Sequence, residues 1–229
     1  MKKIEILANF EREINKLDDA VNKPATEDSL FWLNQAIAKF TKLRFNGDFV
    51  HKTGYEQTEK RREDLINLFK YIQLDLSTVD TENSSYNRYT VTYPSDFLYV
   101  LNEDVIIDSV EGGHPLATCV FECTRDSYMY RVNNSLTDFH YKYHRARPIR
   151  IRKDNGCDLL TDKNYTISSY TLGYLKEPTE LTLEDPRSEY TDFSDHTLYE
   201  ITKMAAQMYI ENKGDQRYNT ITNEVLTQE

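Results

Sequence analysis

The hydrophobic period changes twice along this 229-residue chain. That constrains the fold strongly, because apolar residues recurring about every 3.6 positions suit a helix and strict alternation suits a half-buried strand. Leu7, Phe10, Ile14, Leu17 and Val21 fall on one helical seam, which predicts a first helix packing on another helix. After Lys23-Pro24, Thr26 can cap a second helix, with Glu27 and Asp28 complementing the dipole of its first turn. That helix is expected over 26–45, ending before Asn46-Gly47. Its residues Leu30, Phe31, Leu33, Ile37, Phe40 and Leu43 make a stripe wide enough to predict burial on more than one side. A third helix is expected over 56–71, with Leu65, Ile66, Leu68 and Phe69 at its end.

From Ile72 the period becomes two. Tyr89, Val91 and Tyr93 alternate with Arg88, Thr90 and Thr92, and Ala117, Cys119, Phe121 and Cys123 alternate with Thr118, Val120 and Glu122. Pro94 marks a turn, after which Asp96-Phe97-Leu98 is expected to form one helical turn before a strand over 105–110. Ile149 and Ile151 alternate with Arg150 and Arg152, and residues 165–175 read as a long Tyr/Thr/Ser-rich strand. Helical spacing returns after Ser194, an N-cap candidate, with Leu198, Ile201, Ala205, Met208 and Tyr209, and Gly214 is placed to stop that helix. The fold class predicted is α+β: a bundle of N- and C-terminal helices with an inserted, mostly antiparallel β-sheet domain. The expected divisions are a helical part at 1–71, a sheet domain at 72–183, an acidic spacer at 184–193, and C-terminal helices or tail at 194–229 that pack with the first part.

Charge narrows the function. The formal net charge is -10, which opposes general binding to nucleic acid. Its distribution is uneven: residues 72–135 carry 3 basic against 10 acidic side chains, residues 136–153 carry 6 against 1, and residues 154–229 carry 6 against 15. Glu5, Glu11 and Glu13 interrupt any apolar signal core, and no run approaches the roughly 18 apolar residues of a membrane helix, so a soluble protein made in a cytoplasm is expected. Cys119, Cys123 and Cys157 lack the spacing of a zinc ribbon and are expected to remain thiols, with Cys119 and Cys123 on one buried strand face.

No motif for chemistry emerges. Gly112-Gly113 is followed by His114-Pro115 and a strand, which reads as a turn rather than a phosphate loop, and the sequence holds no GxSxG, HExxH or EF-hand pattern. His140 and His144 are four apart, yet their cationic and aromatic surroundings favour surface or interface histidines over metal ligands. Acid pairs such as Asp104 with Asp108, or Glu184 with Asp185, read as solvated loops and strand ends. A non-catalytic protein with no cofactor and no metal is expected.

The basic run HYKYHRARPIRIRK is the sharpest local feature. Three readings of it stand. Arg145, Arg147, Arg150, Arg152 and Lys153, with Tyr141 and Tyr143, could grip a nucleic-acid backbone. They could be the polar face of an edge strand whose Ile149 and Ile151 point inward. Or His140, Lys142, Arg145, Arg147, Arg150, Arg152 and Lys153 could form an interface meeting acidic surface on another copy, a heterologous contact of the kind that closes rings.

TEDSLFWLNQAIAKF, YPSDFLYVL, HRARPIRI, YTLGYLKEPTEL and SDHTLYEITKMAAQMYIENKGDQRY, in that order, resemble the head-to-tail connector proteins of tailed bacteriophages, especially the portal-proximal adaptor or ring proteins of the crAss-like phages. The likeness covers most of the chain and is strongest from Tyr170 onward. It implies a virion protein forming a dodecameric ring below the portal, with helices packing between subunits around a DNA channel. It also implies the portal and other ring or tail proteins as partners, DNA passing without sequence-specific contact, no membrane, and no catalytic residues. The alternative is a nucleic-acid-binding module using the strip 140–153.

Overall fold

The computed structural model describes residues 1–15, 24–46, 59–79, 85–110, 112, 114–140, 142 and 145–213. The chain divides into two compact units, Met1–Leu68 with Pro178–Glu229, and Phe69–Glu177.

Among the described residues, the first unit holds four helices: α1 (Lys3–Ile14), α2 (Thr26–Asn46), α3 (Glu59–Leu65), continued by a 3-10 turn at Ile66–Leu68, and α5 (Asp195–Lys213). In α5, Leu198, Ile201, Ala205, Tyr209 and Ile210 are buried, and the small Ala205 and Ala206 let neighbouring backbones approach. Against them lie Ile6, Phe10 and Ile14 of α1, and Leu33, Ala36, Ile37 and Phe40 of α2. Edge-to-face pairs lock the contact, Phe10 on Tyr209 at 6.2 Å and Phe40 on Phe193 at 6.0 Å between ring centroids. The seam of α1 is Ile6, Phe10, Ile14, one position off the expected Leu7 start, and Leu17 and Val21 lie outside the described residues. Of the wide stripe expected on α2 to be buried on more than one side, Leu33, Ile37 and Phe40 are buried and Leu30 and Leu43 half-buried, whereas Phe31 is exposed.

Buried charge joins three of these helices. Arg44 of α2 pairs with Asp64 of α3 at 3.0 Å and Glu200 of α5 at 2.7 Å, and Thr197 donates to Asp64 at 3.2 Å. The segment 178–194, expected as the end of the sheet domain followed by a spacer, is instead part of this unit. Leu181, Tyr190 and Phe193 are buried, the Leu181 amide donates to Asn34 at 2.8 Å, and the Tyr190 hydroxyl donates to the Thr179 carbonyl at 2.6 Å. Glu180, Glu184, Asp185 and Glu189 are the outer face of this packed loop, while Asp192 is buried and accepts from the Thr179 amide at 2.7 Å.

The second unit holds β1 (Phe69–Leu74), β2 (Ser77–Val79), β3 (Tyr86–Thr92), β4 (Phe97–Ser109), β5 (Leu116–Cys119), β6 (Phe121–Cys123), α4 (Tyr128–Asn133), β7 (Ile149–Lys153), β8 (Gly156–Asp162) and β9 (Tyr165–Lys176). One sheet runs β1-β9-β4-β5 and the other β2-β3-β8-β7-β6. All pairings are antiparallel except β6 with β7. The α+β class holds, with a mostly antiparallel β part. Tyr89, Val91, Val105, Ile107, Cys157, Leu159, Tyr165, Tyr170 and Leu172 form one core from both sheets, as the period-two pattern requires. A second cluster, Ile149, Ile151, Leu160, Val132 and Phe139, lies under the excursion that carries α4.

Three local expectations are corrected here. Phe69–Tyr71 open β1 rather than closing the third helix, and Phe97-Leu98 open the long β4 rather than a helical turn. The alternating run 117–123 breaks at Val120, where the chain passes from one sheet to the other, so Cys119 is exposed while Cys123 is buried. The Gly112 turn is as expected, with φ +91° and its amide donating to the Ser109 carbonyl at 3.2 Å.

Candidate partner interface

The basic strip begins in the turn after α4 and ends on β7, and the fold divides it between two roles. β7 is an inner strand, flanked by β8 and β6, so the edge-strand reading is corrected. Both its faces are covered from Ile149 to Ile151. Ile149 and Ile151 lie under the α4 excursion, which leaves Arg150 on the opposite side, 4% exposed. There it meets Glu103 of β4 at 2.9 Å and Glu122 of β6 at 2.6 Å, and Tyr170 donates to the same Glu103 at 2.5 Å. Arg150 therefore leaves the expected partner-facing set. It is an internal cation whose removal would strand a buried carboxylate.

His140 also faces inward. One ring nitrogen lies 3.2 Å from Asp162 and the other 3.0 Å from the Val132 carbonyl, which ties the excursion to the end of β8. Both nitrogens are thus engaged, and His144 lies outside the described residues, as do Tyr141 and Tyr143. Among the described residues no group of three or more His, Cys, Asp or Glu is placed to hold a metal ion.

The remaining cations stand at the surface. Lys142 and Arg145 are bridged by reciprocal backbone bonds of 3.1 and 2.9 Å, with the Lys142 ammonium on the Ser135 carbonyl and Arg145 exposed. Asp138, the one acid of the basic segment, pairs with Arg131 and lies 3.8 Å from Arg147. Arg152 sits over the Phe97 ring at 5.4 Å. The α4 excursion also exposes Met129, Tyr130 at 79% and Leu136 at 87%. Exposed Tyr, Met and Arg together are the composition of interface cores, with Tyr and Arg the common anchors.

Lys153 joins a neighbouring arrangement that spacing alone did not reveal. Asp158 of β8 accepts from Lys153 at 2.5 Å, from Thr90 at 2.9 Å and from both nitrogens of the Arg88 fork, the Nε at 3.0 Å. Burial pushes the Asp158 carboxyl up, but these donors outweigh it and hold it below the usual carboxylate range. The signal available beforehand was an acid inside the apolar run Gly156–Leu160, which a buried strand tolerates only with partners. With Tyr86, Tyr128 and Arg125, this cluster lines a cleft of about 430 Å³.

Comparison with known families bears on the chain as a whole. The sequence model described as phage tail ring protein 3/4, of the crAss-like phages, matches residues 7–192. The chain belongs to this ring protein family. The ring protein is accordingly a structural component of a bacteriophage virion, and the family assembles into rings with other phage tail or connector proteins. The match spans α1 through the packed loop before α5, and therefore both units. No curated protein matches the ring protein in direct comparison. No described helix of it is long and apolar enough to cross a membrane.

Proposed function

We propose that the ring protein forms one annulus of the head-to-tail connector below the portal. There it extends the DNA channel and serves as a platform for tail attachment, working by assembly rather than catalysis. The family match over 7–192 carries the reading. Physical support comes from the α4 excursion, which exposes Met129, Tyr130 and Leu136, and from Lys142, Arg145 and Arg147, exposed cations of the stretch of chain that follows. An acidic chain of net charge -10 suits a DNA channel, because a lumen binding phosphates tightly would hold a genome that has to leave. A twelve-fold ring, helices between subunits and contact with the portal belong to the same proposal. In the nucleic-acid alternative, Arg147, Arg150 and Arg152 would contact phosphates; Arg150 is instead consumed by two carboxylates, which weakens that reading.

A cryo-EM map of the connector in intact virions tests the proposal. The expected result is copies of this chain in a closed ring on the portal side of the tail, with the 128–147 excursion at a boundary between chains. Finding the chain outside the portal–tail axis, or with that excursion facing solvent in every copy, overturns it.

A further inference from the structure

The cleft around Asp158 carries more positive charge than its own carboxylate can neutralise. Arg88, Arg125 and Lys153 line it with one acid, so three cations face one anion. Asp158 is saturated by Arg88, Thr90 and Lys153 and has no acceptor site left for Arg125. Arg125 is exposed on the turn before α4 and has no carboxylate partner among the described residues. Tyr86 and Tyr128 supply aromatic walls, and the opening continues past Lys153 toward Gly156, where Asp154 adds a second acid and leaves the cations in excess by one. Such a site takes a carboxylate-bearing segment, with the guanidinium as a directional donor.

The chain itself presents a matching segment. Residues 180–189 expose Glu180, Glu184, Asp185 and Glu189 against the single cation Arg187. The loop is already held in shape. Leu181 is buried, its amide and carbonyl both bond to Asn34, and the Ser188 amide donates to the Asp185 carbonyl at 3.2 Å. A loop ordered in advance loses little entropy on docking.

We propose that the Arg125 cleft of one copy receives the acidic 180–189 loop of the next, a heterologous contact that propagates around a ring. The inference rests on the ring-forming reading above and names the surfaces that would make it.

Complementary charge reversal tests it with the full-length chain. One variant carries Arg125→Glu; the other carries Glu184→Lys and Asp185→Lys. None of these side chains holds the fold, since Arg88 and Lys153 keep Asp158 paired. Ring assembly is followed by native mass spectrometry with the portal present. Each variant alone should need at least about 10-fold more protein to assemble than the wild type, because like charges then face each other. An equimolar mixture should recover assembly, since each cleft then meets a loop of opposite sign. Recovery also shows that both variants fold. Unchanged assembly of each variant alone, or loss that mixing does not repair, overturns this contact while wild-type rings leave the ring reading intact. Wild-type chains that never form rings overturn that reading, and this inference with it.

Discussion

Arg150 shows how a residue from a basic strip becomes part of a core. Its guanidinium spans Glu103 at 2.9 Å and Glu122 at 2.6 Å, while Tyr170 completes Glu103 from β9. Arg150→Ala should therefore destabilise the fold by about 3–5 kcal/mol, the cost of leaving a buried charge without its partner. Arg150→Lys should recover only part of this, because a point charge cannot fork between two carboxylates. Urea unfolding of the three proteins measures both. Asp158 makes the opposite kind of prediction, one about acid. A carboxyl whose folded pKa is depressed contributes stability that is complete above its unfolded value, about 4, and is lost as pH falls through the folded one. Arg88, Lys153 and Thr90 hold Asp158 in that condition. Wild type should lose urea resistance as pH drops below about 4. Asp158→Asn should be weaker at pH 7 and lose less across the same window.

Elements in this chain read clearly where one face is buried and the other wet. Tyr89 and Val91 of β3, with Tyr93 just past its end, alternate cleanly because one face of this stretch is covered, and α5 begins directly after Ser194 because its apolar rows keep a helical period. The pattern fails where both faces are covered. On β7, Ile149 and Ile151 look like the inner face, yet the α4 excursion covers them and sends Arg150 between the sheets. The contiguous run from Leu65 to Phe69 fits a buried helix end or a strand start equally well, and only the pairing of β1 with β9 decides for strand. Glycine marks a third illegible feature. A Cβ on Gly156 would lie 1.9 Å from the Val91 carbonyl oxygen, so β8 can approach β3 closely only without one. Gly156→Ala should cost about 1–3 kcal/mol through forced backbone shifts. A thermal melt reads this, and a melting temperature equal to wild type would contradict the close approach.

At the scale of the whole molecule, the two units divide the visible features of a ring subunit between them. The helical unit carries the acidic loop on a packed base, and the sheet unit carries the cationic cleft and the apolar tip of the α4 excursion. Much of the fold class was legible beforehand because helical and strand periods occupy separate stretches of chain. The candidate interface was legible only in outline: Lys142, Arg145, Arg147 and Arg152 remain at the surface, His140 and Arg150 turn inward, and two far-off residues line the cleft with Lys153, Arg88 through the strand register and Arg125 from the turn before α4. The central claim is that this chain works by assembling into a ring. Native mass spectrometry of the purified protein, alone and with the portal of its own phage, measures that most directly. A closed oligomer of one defined copy number on the portal is the result predicted. Chains that stay monomeric and leave the portal unbound at every concentration would contradict it.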